Sequence, residues 1–157
     1  MRKIFFALSL FSVLLLFTGC TKSVVFEQIV VFPDANWAFE NKVITFNAPL
    51  SSSDKPHSII LELELIGTPS VEKFYATFRI TTPKGGETVK SILFNFAYPN
   101  EPYIKGASPN EKIYRLTVYP KKYFSEEGIY SLEVNQFSNK ADNYGIRALR
   151  MIIKREK

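Results

Sequence analysis

A chain of 157 residues, 46% hydrophobic and 22% charged, has the composition of a globular domain with a proper core. Its formal net charge of +5 is spread along the chain, without the clustered Lys and Arg of a nucleic-acid footprint. One cysteine and one histidine exclude an intrachain disulfide and leave no zinc site or nucleophile–base set.

The chain opens with Arg2 and Lys3, then Ile4 to Phe17, fourteen residues without a charge. A membrane-crossing helix needs roughly 20 apolar residues, whereas the apolar part of a secretory signal has about 7 to 15. Small residues, Thr18 and Gly19, lead to Cys20. This resembles the bacterial lipobox, with Phe17 where an aliphatic residue is usual. The resemblance implies removal of residues 1–19, a diacylglycerol on the Cys20 sulfur and an acylated new amino terminus. Each buried methylene contributes about 0.8 kcal/mol, so two or three acyl chains fasten the protein to a bilayer almost irreversibly. The covalent lipid is the one non-protein group expected; no cofactor and no metal is.

Loss of the signal leaves 138 residues, with 18 basic against 15 acidic. Residues 20–25 form a lipidated cysteine and short tether, and 26–157 a single domain. The stretch "VVFEQIVVF" (24–32) predicts a strand, and "PDANW" (33–37) a turn ending at the chain's single tryptophan, Trp37. "VITFNA" (43–48) precedes a polar loop, "SSSDKPHS". In "SIILELELI" (58–66) Ile59, Leu61, Leu63 and Leu65 share a core face, and Ile60, Glu62 and Glu64 a solvated one.

"EKFYATFRITT" (72–82) alternates likewise, with Phe74, Ala76, Phe78 and Ile80 on one side and Tyr75, Thr77 and Arg79 on the other. Gly85 and Gly86 suit a tight hairpin turn, pairing that strand with "TVKSILFNFAY" (88–98). The longest irregular stretch, 99–111, precedes "KIYRLTVY" (112–119); long loops of this kind are usually functional or mobile rather than structural. Residues 124–137 carry a turn at Glu126–Gly128 and a strand with Tyr130, Leu132, Val134 and Gln136 on one face. "GIRALRMIIKREK" (145–157) reads as a strand or a short helix, and Arg147, Arg150, Lys154 and Arg155 as a polar chain end near a water-exposed edge. About eight short strands punctuated by turns predict an all-β, antiparallel β-sandwich, Ig-like or jelly-roll-like.

Chemistry is sparse. His57, beside Pro56 in a polar loop, reads as a solvated residue. Glu62 and Glu64 share a face as a glycosidase pair would, yet alternation with leucines accounts for them without catalysis. The glycines at 85 and 86 lack the GK[ST] and strand-to-helix context of a phosphate loop. The aromatic residues, 15% of the chain, offer amphipathic rings for a partner, and Trp37, Tyr103 and Tyr114 are the candidates. A non-enzymatic binding or assembly module is the expectation.

From Cys20 onward the order of "VFEQIVVFPDANW" (25–37), "ITF" (44–46), "IILELEL", "TPKGGET" (82–88), "YFSEEGIYSLEVNQ" (123–136) and "YGIRALRMIIKRE" (144–156) resembles the gliding-motility-associated lipoproteins of the GldH type, found in Bacteroidota. The resemblance spans almost the whole mature chain, carried by the spacing of Phe32, Trp37, Pro83, Gly85, Gly128, Tyr130, Gln136, Gly145 and Ile146. The segment after Gly67 differs from the family, and "YIKGASPNEKIY" keeps only Gly106 where members are glycine-richer. It implies a lipid-anchored envelope protein that supports gliding motility or the type IX secretion machinery through contacts with other envelope lipoproteins or secretion components. It implies no nucleic acid and no small-molecule substrate. Lys22 has no acidic residue behind it, unlike the surface-export signals of that phylum, so the expected location is the outer membrane facing the periplasm. The alternative is a carbohydrate-binding surface lipoprotein of a nutrient-uptake system.

Overall fold

The structure is a computed structural model and describes residues 23–96, 103–105 and 111–157, backbone alone at 103–105 and 111. Cys20 and the signal lie outside the described residues, as does most of the 99–111 loop. Nine strands are found among the described residues: β1 (Val24–Val31), β2 (Val43–Leu50), β3 (His57–Ile66), β4 (Lys73–Thr81), β5 (Glu87–Asn95), β6 (Tyr103–Lys105), β7 (Glu111–Lys122), β8 (Gly128–Phe137) and β9 (Ile146–Arg155). β1 thus starts at Val24, two residues before the expected domain boundary.

Two antiparallel sheets result, ordered β1-β9-β3-β7-β6 and β2-β8-β4-β5. The fold is an all-β sandwich. Leaving out the short β6, the chain passes between sheets at every connection except the β4–β5 hairpin, which is the winding of a jelly roll. That hairpin closes as its glycines predict: Gly85, at φ 86°, donates to the Thr82 carbonyl at 2.9 Å, and Thr82 donates to Gly86 at 2.8 Å.

Alternation decides the core. Leu61, Leu63, Phe46, Phe78, Ile80, Phe94, Leu132 and Val134 project between the sheets and are buried. Complete burial of a Leu or Phe side chain contributes roughly 1.5–3 kcal/mol before chain entropy is set against it. Trp37 closes one end, stacked on Phe32 at 5.2 Å and edge-on to Phe74 at 5.7 Å. Its indole N–H donates to the Asn41 carbonyl at 2.9 Å, and Asn143 ties the two end loops by donating to the Trp37 carbonyl at 2.8 Å.

The C-terminal segment corrects one expectation. It is a strand, and it lies inside its sheet, between β1 and β3. Apolar residues on both faces account for this, since Leu149, Met151 and Ile153 face the core while Ala148 and Ile152 are buried on the opposite face.

Candidate functional site

The residues picked from sequence disperse. Trp37 and Tyr114 are buried, so the expectation that they offer rings to a partner is corrected. Tyr114 packs 5.1 Å from Phe96 and accepts a hydrogen bond from the Asn95 amide at 3.2 Å. Tyr103 lies in the short edge strand β6, opposite Tyr114 in register. His57 is no solvated loop residue: it begins β3, is 3% exposed and meets Phe124 edge-on at 5.3 Å.

Glu62 and Glu64 are also corrected, because neither stands on a freely solvated face. On the outer face of the five-stranded sheet they form an ion-pair network with arginines of β7 and β9. Arg115 Nε donates to Glu62 at 2.7 Å, Arg147 reaches Glu64 at 2.8 Å, and Arg150 reaches Glu64 at 2.9 Å and Glu27 at 2.6 Å. Burial pushes the Glu64 carboxyl up, but hydrogen bonds and charge from Arg150 and Arg147 outweigh it and hold the group below the ordinary 4.5. Two carboxylates committed to guanidiniums make a structural network. Among the described residues no group of three or more His, Cys, Asp or Glu is placed to hold a metal ion.

The outer face of the four-stranded sheet is different in kind. Phe137, Tyr75 and Leu93 form one row across β8, β4 and β5, each directly opposite the next. Tyr75 is 62% exposed and Phe137 53%. The adjoining rows are mostly polar: Asn135, Thr77 and Ser91, flanked by an exposed Val43, then Thr45, Glu133 and Arg79, flanked by an exposed Val89. A flat hydroxyl- and amide-bearing surface with large rings at one end suits a macromolecular or glycan partner, the rings supplying apolar area and the polar rows its register.

The position of this row follows from strand direction. β1 runs from Val24 towards Trp37, and β8 ends and β4 begins at the Trp37 end, so the ring row lies at the opposite end from Val24. Eight residues at about 3.3 Å each separate the two ends by roughly 26 Å. Sequence alternation already sets Tyr75 and Phe137 on outward faces; it does not single them out, because an outward ring on an edge-buried face looks the same in one dimension.

No protein-family model and no curated protein matches the chain. Among solved structures, the crystal structure of dimeric latent PorU from Porphyromonas gingivalis is similar at TM-score 0.39 and 11% identity, over 88% of this chain and 14% of that one. The chain thus spans about one seventh of that protein's length. The GldH-type likeness therefore rests on the order and spacing of the residues named above. No described helix is long and apolar enough to cross a membrane.

Proposed function

We propose that this protein is a lipid-anchored, non-enzymatic interaction module of the cell envelope, fastened through Cys20 and presenting the Tyr75–Phe137 row to a protein partner. The observation that carries the reading is the separation of the two ends: the chain enters at Val24, four residues after Cys20, and the exposed rings stand at the far end of the sheets. An anchor at Cys20 then holds the rings some 26 Å along the strand direction from the anchored end, by the rise of a strand. The GldH-type resemblance supports a partner in the gliding or type IX secretion apparatus, at the outer membrane facing the periplasm.

The test is a photocrosslinking residue at position 75 in the full-length protein, expressed in its own cells. A discrete crosslinked envelope protein, lost when the probe moves to position 47 on the same face, is the expected result; uniform labelling from both positions overturns it. A carbohydrate-binding role has its own support in the exposed Tyr75 ring beside Thr77 and Asn135, a stacking platform with hydrogen-bonding neighbours. A glycan array that retains the wild-type protein and releases Tyr75→Ala would favour it.

A further inference from the structure

An edge strand presents unpaired backbone groups that invite another strand unless something blunts it. β5 is blunted by Lys90, which stands on the core side opposite Phe78 and donates across the rim to the Val118 carbonyl of β7 at 2.7 Å. The same bond covers β7 where the short β6 no longer pairs it, ahead of Pro120 and Lys121. In β2, the Gln136 amide donates to the Lys42 carbonyl, so the odd-numbered residues face away from β8, and Pro49 among them brings no N–H to that edge. β1 is different. Between Phe26 and Val31 it has no proline, no lysine and no charge on its core side, and its bulge falls earlier, between Val24 and Phe26.

Hydrogen-bond direction says which groups of β1 are free. The Phe32 amide donates to the Arg147 carbonyl at 2.8 Å, so in the antiparallel ladder Gln28, Val30 and Phe32 face β9. Glu27, Ile29 and Val31 therefore turn their N–H and C=O groups to the open edge, where no described residue partners them. Their side chains stand on the outer face, with Ile29 40% and Val31 63% exposed. On the core side Phe26 and Val30 are half-buried and Gln28 is exposed. The edge is accessible, and apolar area lies uncovered on both its faces.

We propose that β1 pairs with β1 of a second copy, antiparallel, with Ile29 opposite Ile29 on a two-fold axis perpendicular to the sheet. The free groups select this occupant and this register. They are centred on Ile29, so Glu27 of each copy meets Val31 of the other and every free N–H and C=O of these residues is satisfied, whereas any other register leaves some unpaired. A foreign strand would have to bring that match; a second copy has it by symmetry, and the contact closes because it uses the same edge of both. Val30 of each copy then covers Gln28 of the other on the core side, and the two five-stranded sheets become one. The pairing itself needs no anchor. On the anchor reading, a two-fold that keeps both Cys20 lipids in one bilayer stands normal to it, so the joined sheet lies along the membrane and the Tyr75–Phe137 rows of both copies face the same way. Confinement to that surface raises the effective concentration of the two edges.

Full-length protein in a maltoside detergent is weighed by sedimentation equilibrium. The same chain carrying Ile29→Cys is oxidised in native envelopes with diamide, which takes up the two electrons and two protons, and any disulfide is located by mass spectrometry. A dimer is expected, with a disulfide joining position 29 of one copy to position 29 of the other, since a hydrogen-bonded pair holds its Cα atoms about 5.5 Å apart, within disulfide reach. Val31→Cys should give none, because the two positions lie roughly 13 Å apart along the strands. Ile29→Pro deletes an N–H that faces only the edge, and Ile29→Lys sets like charges opposite each other; both should raise the dimer dissociation constant at least tenfold with the far-ultraviolet spectrum of wild type. A wild type monomeric throughout the micromolar range, a dimer unmoved by both substitutions, or equal linkage at positions 31 and 29 overturns the proposal. Linkage of position 29 to a different polypeptide overturns it too and assigns the edge to a foreign strand. The mass of Cys20 separates this reading from the anchor: an unmodified thiol in a dimer linked through position 29 removes the anchor and keeps the pairing, and a lipidated Cys20 on a monomer does the reverse.

Discussion

Arg150 lies directly opposite Glu62 across the β3–β9 ladder, its Nε 3.7 Å from the carboxylate, while its terminal nitrogens reach Glu27 at 2.6 Å and Glu64 at 2.9 Å. One guanidinium serves three carboxylates, and Glu62 among them is only 4% exposed. Breaking a fully buried ion pair costs about 3–5 kcal/mol, but here Arg115 and Arg147 remain and water reaches the rim. Arg150→Met is therefore expected to lose about 2 kcal/mol in urea unfolding. A loss below about 0.5 kcal/mol would show that the network contributes nothing to stability.

The same network sets an acid limb. Glu64 is held below 4.5, so its contribution is fully present above that pH and is lost as pH falls through the lower folded-state value. Glu64→Gln is expected to be less stable than wild type at pH 7 and to converge on it as the pH drops towards 3. Parallel stability curves for the two proteins would refute this.

His57 works at higher pH with the same sense. Its folded-state pKa is lowered from 6.5 by burial first and Arg155 second, against smaller opposing contributions from the Lys55 and Lys122 carbonyls and Glu156. The unfolded chain binds the proton more readily, so stability is full above about pH 6.5 and declines below it. In His57→Gln that decline should vanish between pH 6.5 and 5, leaving only the carboxylate limb. Thermal melts across that interval are sufficient to decide it.

Backbone conformation gives a sharper pair. Ala35 sits at φ 50° in the left-handed region, which costs a non-glycine residue roughly 1–2 kcal/mol. Ala35→Gly removes that strain but loosens the unfolded chain, for a net gain of about 0.5 kcal/mol. Gly145, at φ +87°, is the converse: an added Cβ would lie 2.9 Å from Pro69 Cα, a backbone atom that cannot swing aside. Gly145→Ala is expected to cost more than about 2 kcal/mol. Denaturant midpoints moving in opposite directions are the result to look for.

Much of the fold is legible because the relevant physics is local. The two-residue period of β3, β4 and β8 declares their inward faces, and Gly85 declares the β4–β5 turn. What remained hidden depends on strand order. Whether Glu62 and Glu64 meet water or arginine turns on β9 lying beside β3, a pairing between residues some 85 positions apart that no window of sequence contains. His57 reads as a loop residue until its pairing with Lys122 and Arg155 draws it into a strand. Trp37 sits in a turn-rich stretch, yet the end of the sandwich closes over it. The rings of a partner surface and the rings of a core are the same residue types; alternation turns Tyr75 outward, but only the packing of the strands leaves it exposed and buries Tyr114.

That distinction makes the ring candidates separable by experiment. Trp37→Ala empties a fully buried site and is expected to cost about 3–5 kcal/mol, with any loss of partner capture following the loss of folded protein. Tyr75→Ala and Phe137→Ala remove half-solvated rings whose cross-strand contact is worth about 0.2–1 kcal/mol, so both variants should melt within a few degrees of wild type. Capture from native envelopes should nonetheless fall at least tenfold in the Tyr75→Ala, Phe137→Ala double variant, since large aromatic side chains dominate binding at such surfaces. Stability and capture are measured on the same preparations. A double variant that melts normally and captures its partner undiminished would clear this face of the proposed role and direct attention to the opposite sheet.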